Sequence, residues 1–319
     1  MRELRLIIAF AIVVALLPLF VTSGYVLNAV VMTLYATVLA QAWNILGGYG
    51  GQFSFGHALF FGTGAYAMAV LQVKFGWNAW FALPAALVAG AMIGAVTGAL
   101  SFRYGLRGSY FALVTLAFAE VFRILANSVD FTGAGVGLMV PLKESAGDLQ
   151  FAGKTGYLYF ILAFALAGFL VSWWLKSSRY GAWLQAVRDN ESAAAALGIN
   201  VSRVKLIAIT ISGALMAAGG VFYAQYLHYI DPHLAYGPGV SIEALVGAIV
   251  GGMGTVWGPL LGATLLQVLG ETTRNLMGDA PGVNLVVYGA VLILMVTFLP
   301  RGIAGLARRY GAGKERRRA

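Results

Sequence analysis

Of 319 residues, 60% are apolar and only 10% are charged, against about a quarter charged in soluble domains, so the chain reads as an integral membrane protein. Its net charge of +9 comes from basic residues between and beyond the apolar runs, which leaves no basic face for nucleic acid and fits a positive-inside bias. The absence of cysteine excludes disulfide frameworks, thiolate nucleophiles and cysteine-based metal sites.

Apolar runs of about 18 residues or more, each able to cross a bilayer, recur along the chain. The first, Leu6 to Val21, follows Arg2 and Arg5 and is followed by no A-x-A-like cleavage site, so it reads as an uncleaved first span. The second, from about Tyr25 to Leu46, is expected to stop at the glycine cluster 47–52. A third begins near Ser54 and ends before Lys74. The fourth, about Phe81 to Phe102, carries Gly90, Gly94 and Gly98, a small-residue ridge for close helix packing. A fifth, Ser109 to about Ser128, holds Glu120 and Arg123, read as the only charges well inside a span. An acidic, glycine-rich loop from Asp130 to Thr155 leads to the sixth span, about Gly156 to Leu175. After a long polar break the seventh runs from about Val204 to Tyr229. Residues 242–299 are harder to divide: IEALVGAIV is short, GGMGTVWGP follows, LLGATLLQVLGETT is helical, and a last span covers about Val283 to Leu299.

Charge placement orients these spans. Sixteen basic residues fall on one side, including Arg103, Arg107, Lys176, Arg179, Arg188, Arg203, Lys205 and the tail from Arg301, whereas Lys74, Lys143, Lys154 and Arg274 fall on the other. Both termini are therefore expected in the cytoplasm, which requires an even number of crossings. Letting the region around 242–252 cross once gives ten; a re-entrant reading gives eight. The fold expected is an all-α polytopic bundle of about ten spans, one permease unit over 1–319. It includes a cytoplasmic loop at about 176–205 and a basic, disordered tail at about 301–319 that lies against anionic headgroups.

The polar break is the longest that still reads as helix. Asn190 is placed to cap a short helix over Glu191 to Leu197, and Gly198 to end it in a left-handed turn. Such a helix between spans is either a passive connector or a lever for a soluble partner. Its alanine-rich surface suits a groove, with Glu191 and Arg188 expected to supply directional polar contacts.

Two glycine clusters look alike, Gly47-Gly48-Tyr49-Gly50 and Gly251-Gly252-Met253-Gly254, and each is followed by another glycine (Gly56, Gly258) and a helix of small residues. Interrupted segments in two halves of a transporter mark the translocation path when free backbone lines a cavity. That reading nominates Gly47, Gly48, Gly50, Ser54, Gly56, His57, Gly251, Gly252, Gly254, Gly258 and Pro259. The alternative is two connections whose glycines permit tight helix crossing.

Glu120 and Arg123, three apart, share a helix face: they are expected to neutralise each other and hold helices together, the alternative being that they line a substrate path, as ionisable groups within a span can. His228, Asp231 and His233 match no standard metal pattern, so no metal or cofactor is expected. The chain has no G-x-x-x-x-G-K-[ST] phosphate loop and no nucleophile–base arrangement, so it is not expected to be an enzyme or to hydrolyse ATP itself.

RYGAWLQAVRDNESAAAALGINVSRVKL resembles the cytoplasmic coupling loop of ABC importer permeases, and more narrowly that of the LivM type of branched-chain amino acid permease. GQFSFGHALFFGTGAY at 51–66, RGSYFALVTLAFAEVFR at 107–123, GGMGTVWGPLLGA at 251–263 and FLPRGIAGL at 298–306 resemble that family in the same order. The resemblance implies a bacterial inner-membrane permease paired with a second, similar permease. It also implies two cytoplasmic ATPases docked on the loops and a periplasmic binding protein that delivers branched-chain amino acids. Glu191, Ala193, Ala194 and Gly198 then belong to the helix in the ATPase cleft. Ser192 and Ala134 depart from the pattern; after Thr132 two adjacent glycines are expected. Permeation of urea, short amides or other amino acids is the alternative within this class. An ATP-independent secondary transporter is the rival outside it, distinguished by a membrane-embedded ion-binding cluster.

Overall fold

The computed structural model describes residues 2–143, 145–277, 283–298 and 302–305. Its helices are α1 (Arg2–Phe20), α2 (Gly24–Trp43), α3 (His57–Val73), α4 (Ala79–Arg103), α5 (Gly108–Ser128), α6 (Lys154–Ser177), α7 (Arg179–Asp189), α8 (Glu191–Ala196), α9 (Val201–Leu227), α10 (Pro232–Ala235), α11 (Pro238–Gly251), α12 (Gly258–Met277) and α13 (Val283–Phe298). Every apolar segment read from the sequence is helical. Seven helical runs, among them Pro232–Gly251, are long and apolar enough to cross a membrane. The protein is therefore a multi-pass helical membrane protein. Most of the expected tail, together with Leu299 to Arg301 at the end of the last span, lies outside the described residues.

α2 is the central helix. Val31, Leu34, Val38, Leu39 and Trp43 on it are buried, and α6, α9, α11 and α12 surround it. α1 packs chiefly on α6 at the periphery. Side-chain volume decides how closely α4 approaches α9: a Cβ at Gly90 would lie 2.3 Å from the Ala217 Cβ, and one at Gly94 would lie 2.9 Å from the Ile209 carbonyl oxygen. The ridge of small residues thus packs backbone against backbone, where dispersion replaces the missing hydrophobic drive between helices in lipid.

The second span does not stop at the glycine cluster. It continues as a π-turn over Asn44–Tyr49, in which the Trp43 ring covers Gly47 so closely that a Cβ there would lie 2.4 Å from it. π-turns of this kind are concentrated at functional sites. The polar segment is helical as expected, with α7 preceding the short capped helix α8 that starts at Glu191.

On the opposite face, Leu138–Met139 (β1) pairs antiparallel with Tyr229–Ile230 (β2). The turn before β1 places Ala134 at φ +46, a left-handed conformation that costs an alanine about 1–2 kcal/mol. This strain gives the departure from a second glycine a physical meaning. Ala134→Gly is expected to stabilise the protein by at most about 1 kcal/mol once glycine's larger unfolded-state entropy is subtracted, read as a higher thermal midpoint in detergent. A lowered midpoint would contradict that reading.

Candidate functional site: a polar loop seated on a glycine junction

Three consecutive caps build the loop. The Ser178 side chain accepts from Gly181 N at the start of α7, Asn190 Oδ1 from Ala193 N (2.9 Å) at the start of α8, and Asn200 Oδ1 from Arg203 N (3.0 Å) at the start of α9. Each satisfies a backbone donor that a helix N-terminus otherwise leaves free. Gly198 sits at φ +82, and Ile199 N donates back to the Ala194 carbonyl at 3.1 Å. The cap and the left-handed stop read from the sequence are both present. Tyr180 ties α7 to the bundle by donating to the Val204 carbonyl at 2.7 Å. Burial raises its phenol pKa and keeps that donor protonated.

Glu191 does not reach outward as expected. Lys205 on α9, only 3% exposed, donates to Glu191 Oε1, and Gln52 Nε2 approaches the same oxygen at 3.4 Å. The Arg107 Nε lies 2.9 Å from Glu191 Oε2; this contact is electrostatic rather than an aligned hydrogen bond, because Oε2 receives no donor on the hydrogen-bond line. Phe102, Arg107, Ser192, Ala195 and Lys205 border an open cleft of about 370 Å³ beside the carboxylate. The reason for the inward turn is electrostatic: Lys205 is buried at the end of a membrane helix and needs a counter-charge.

Arg188 stays exposed but also reaches the bundle. Its Nη1 donates to the Gly48 carbonyl at 3.2 Å and its Nε to Asp189 at 3.0 Å. Its aliphatic stem covers Gly51, where a Cβ would meet Cγ at 2.4 Å. The same guanidinium lies over Gly254, 3.2 Å from where a Cβ would stand.

Beneath Arg188 the two glycine clusters meet. Asn44 Oδ1 accepts from Gly254 N (2.8 Å) and Asn44 Nδ2 donates to the Thr255 carbonyl (3.1 Å). Gly48 and Gly254 face each other, with a Cβ at Gly48 only 2.6 Å from Gly254 N. Around this junction Gly47, Gly48, Gly50, Ser54, Gly56, His57, Gly251, Gly252, Gly258 and Pro259 are buried, and Gly254 is half-buried. His57 shares a hydrogen bond with Ser212 Oγ (2.9 Å), which donates to the Ala42 carbonyl. In this conformation the junction is closed packing rather than a lined opening.

The surface that α8 leaves free consists of Ser192, Ala193, Ala195, Ala196, Leu197 and Gly198, whereas Ala194 faces the bundle. Leu197, 81% exposed, is the largest apolar side chain on that surface and was not singled out by sequence. Its position just before a helix-ending glycine was the available signal.

Glu120 and Arg123 form a bidentate pair (2.5 and 2.9 Å), and Arg123 Nη1 reaches His233 Nδ1 at 2.9 Å. They stand toward the hairpin face, away from the loop. They are not the only charges inside a span, because Glu243 lies within Pro232–Gly251; the shortness of IEALVGAIV had obscured its depth.

The geometry is that of a polytopic helical bundle whose capped polar loop is packed against a glycine junction, an arrangement that suits a transport permease. The model of the permease component of branched-chain amino acid transport systems matches residues 25–296, and the chain belongs to that family. The high-affinity branched-chain amino acid permease LivM of Salmonella typhimurium is 28% identical over 96% of this chain and 76% of its own length, and LivM of Escherichia coli is equally similar. The ribose import permease RbsC of Escherichia coli is 27% identical over 92% of this chain and 91% of its own. No solved structure matches.

Proposed function

We propose that this chain is the membrane subunit of a binding-protein-dependent ABC importer carrying branched-chain amino acids across the bacterial inner membrane. ATP is hydrolysed on two separate cytoplasmic subunits, and a second, similar permease completes the pathway. The observation that carries the reading is the loop's construction: three caps, an inward-anchored Glu191, and Arg188 bridging to both glycine clusters. The exposed face of α8, centred on Ala193 and Leu197, is the ATPase docking surface. Movement of α8 passes through Glu191 to α9 and through Arg188 to the junction, as rigid-body motion of packed elements. The junction glycines open to line the pathway, and Glu120–Arg123 remains a structural pair. The bundle makes ten crossings with both termini cytoplasmic, which places the basic face of the loop inside.

The resemblance to a ribose permease gives sugar import a claim as a second reading, while two LivM relatives spanning nearly the whole chain favour amino acids. Purification from native membranes with the ATPases attached, followed by ATP-dependent uptake of leucine but not ribose in proteoliposomes, is the expected result. Accumulation of substrate by the chain alone under an ion gradient would contradict the ABC reading.

A further inference from the structure

Glu243 stands on α11 without a hydrogen-bond or ion-pair partner among the described residues, within a segment long and apolar enough to span the membrane. It is eight residues from the end of α11 at Gly251, about 12 Å along the axis at 1.5 Å per residue. A carboxylate at such depth is costly and persists where it faces a cavity or a partner. Its direction is set by its neighbours one turn apart. Gly247 faces Ala40 of α2, where a Cβ would lie 3.1 Å from the Ala40 Cβ. Glu243, four residues earlier on the same face, therefore points toward the preceding part of α2. There the Tyr35 phenol lies within electrostatic range of both Glu243 and Tyr223 of α9.

Glu243, Tyr35 and Tyr223 are each half-buried. Neither phenol has a hydrogen-bond partner among the described residues, so three polar groups from α2, α9 and α11 stand near one another without being paired. The wall beside them is aromatic. Phe61 packs edge-on to both tyrosines at 6.4 and 5.4 Å, and Phe222 lies against Tyr35 at 5.9 Å. One carboxyl group, two hydroxyls and aromatic faces in a low-dielectric setting suit a small organic cation with an apolar body, whose charge favours the ionised form of the carboxyl. A carboxylate and π-faces both attract an ammonium group.

We propose that Glu243, flanked by the Tyr35 and Tyr223 hydroxyls, binds the ammonium group of a zwitterionic amino acid during its passage through the membrane. This rests on the amino-acid reading given above. Glu243→Gln keeps the side-chain volume and removes the charge. In proteoliposomes holding the complete transporter and its leucine-loaded binding protein, it is expected to lower leucine uptake per ATP hydrolysed about tenfold, the equivalent of one lost charged hydrogen bond. Glu243→Asp should recover part of the loss. Tyr35→Phe and Tyr223→Phe, which remove one hydroxyl each, should reduce the ratio by smaller factors and decide the matter if the Gln variant does not assemble. Wild-type coupling in Glu243→Gln, or in both Phe variants, would overturn the proposal. So would wild-type uptake driven by a pH gradient without ATP and lost in Glu243→Gln, since Glu243 would then be a proton carrier. A wild-type complex that hydrolyses ATP and carries ribose but no leucine would instead overturn the amino-acid reading itself.

Discussion

Replacing Glu191 by alanine is expected to destabilise the protein by about 3–5 kcal/mol, the cost of leaving a buried charge without its partner. The charge is Lys205, whose side chain is 3% exposed and whose ammonium also lies over the Phe102 ring, 5.4 Å from its centroid. Arg107, with a side chain 64% exposed, can return to water, so the loss falls on Lys205. The double variant Glu191→Leu with Lys205→Met removes both charges and should recover most of the thermal midpoint, because burying a well-packed apolar pair costs no desolvation. Transport should not recover with it, since α8 is then released from α9. Thermal unfolding in detergent and ATP-dependent uptake, measured on the same preparations, separate the two effects. A Glu191→Ala protein with a wild-type midpoint would show that the carboxylate is not an anchor.

Gly198→Val is the second large effect. Nothing lies within 4 Å of a Cβ at this position, so the cost is in the backbone rather than in packing. At φ +82 a β-branched residue cannot hold the turn without strain, about 1–2 kcal/mol or more. Relieving it unwinds the end of α8 and displaces Leu197. ATP-dependent uptake is expected to fall by about tenfold, the rate equivalent of 1.4 kcal/mol, with membrane insertion unchanged. Gly198→Asn, which tolerates left-handed backbone, should stay close to the wild type. Full transport by the valine variant with normal ATPase association would remove Gly198 from the coupling loop.

The parts of this architecture that depend on near neighbours were legible in the sequence. Asn190 and Gly198 bound a helix through contacts three to four residues away, and the Gly90, Gly94 and Gly98 ridge announces a close helix approach by its spacing alone. What escaped sequence reading depends on long-range contact. Glu191 looked like an outward-facing polar group because Gln52, Arg107 and Lys205 come from three separate segments, and only folding brings them to one carboxylate. The two glycine clusters looked alike, but their meeting is made by Asn44, which no repeat or motif marked. Arg188 was read as a contact for a partner, and its further contacts with Gly51, Gly48 and Gly254 were not foreseen. Glu243 was visible but undervalued, because its segment becomes long enough to span only when the short helix α10 and the turn after it are added.

The central claim is that the α8 surface transmits force from a soluble ATPase, and the absence of cysteine from this chain makes it directly testable. A single cysteine at Leu197 should react freely with a membrane-impermeant maleimide in the permease alone and become protected, or cross-link to the ATPase, in the assembled transporter. A cysteine at Ala194, which faces the bundle, should react slowly in both states. If Leu197→Cys reacts equally fast with and without bound ATPase subunits, the docking surface lies elsewhere and the coupling account fails.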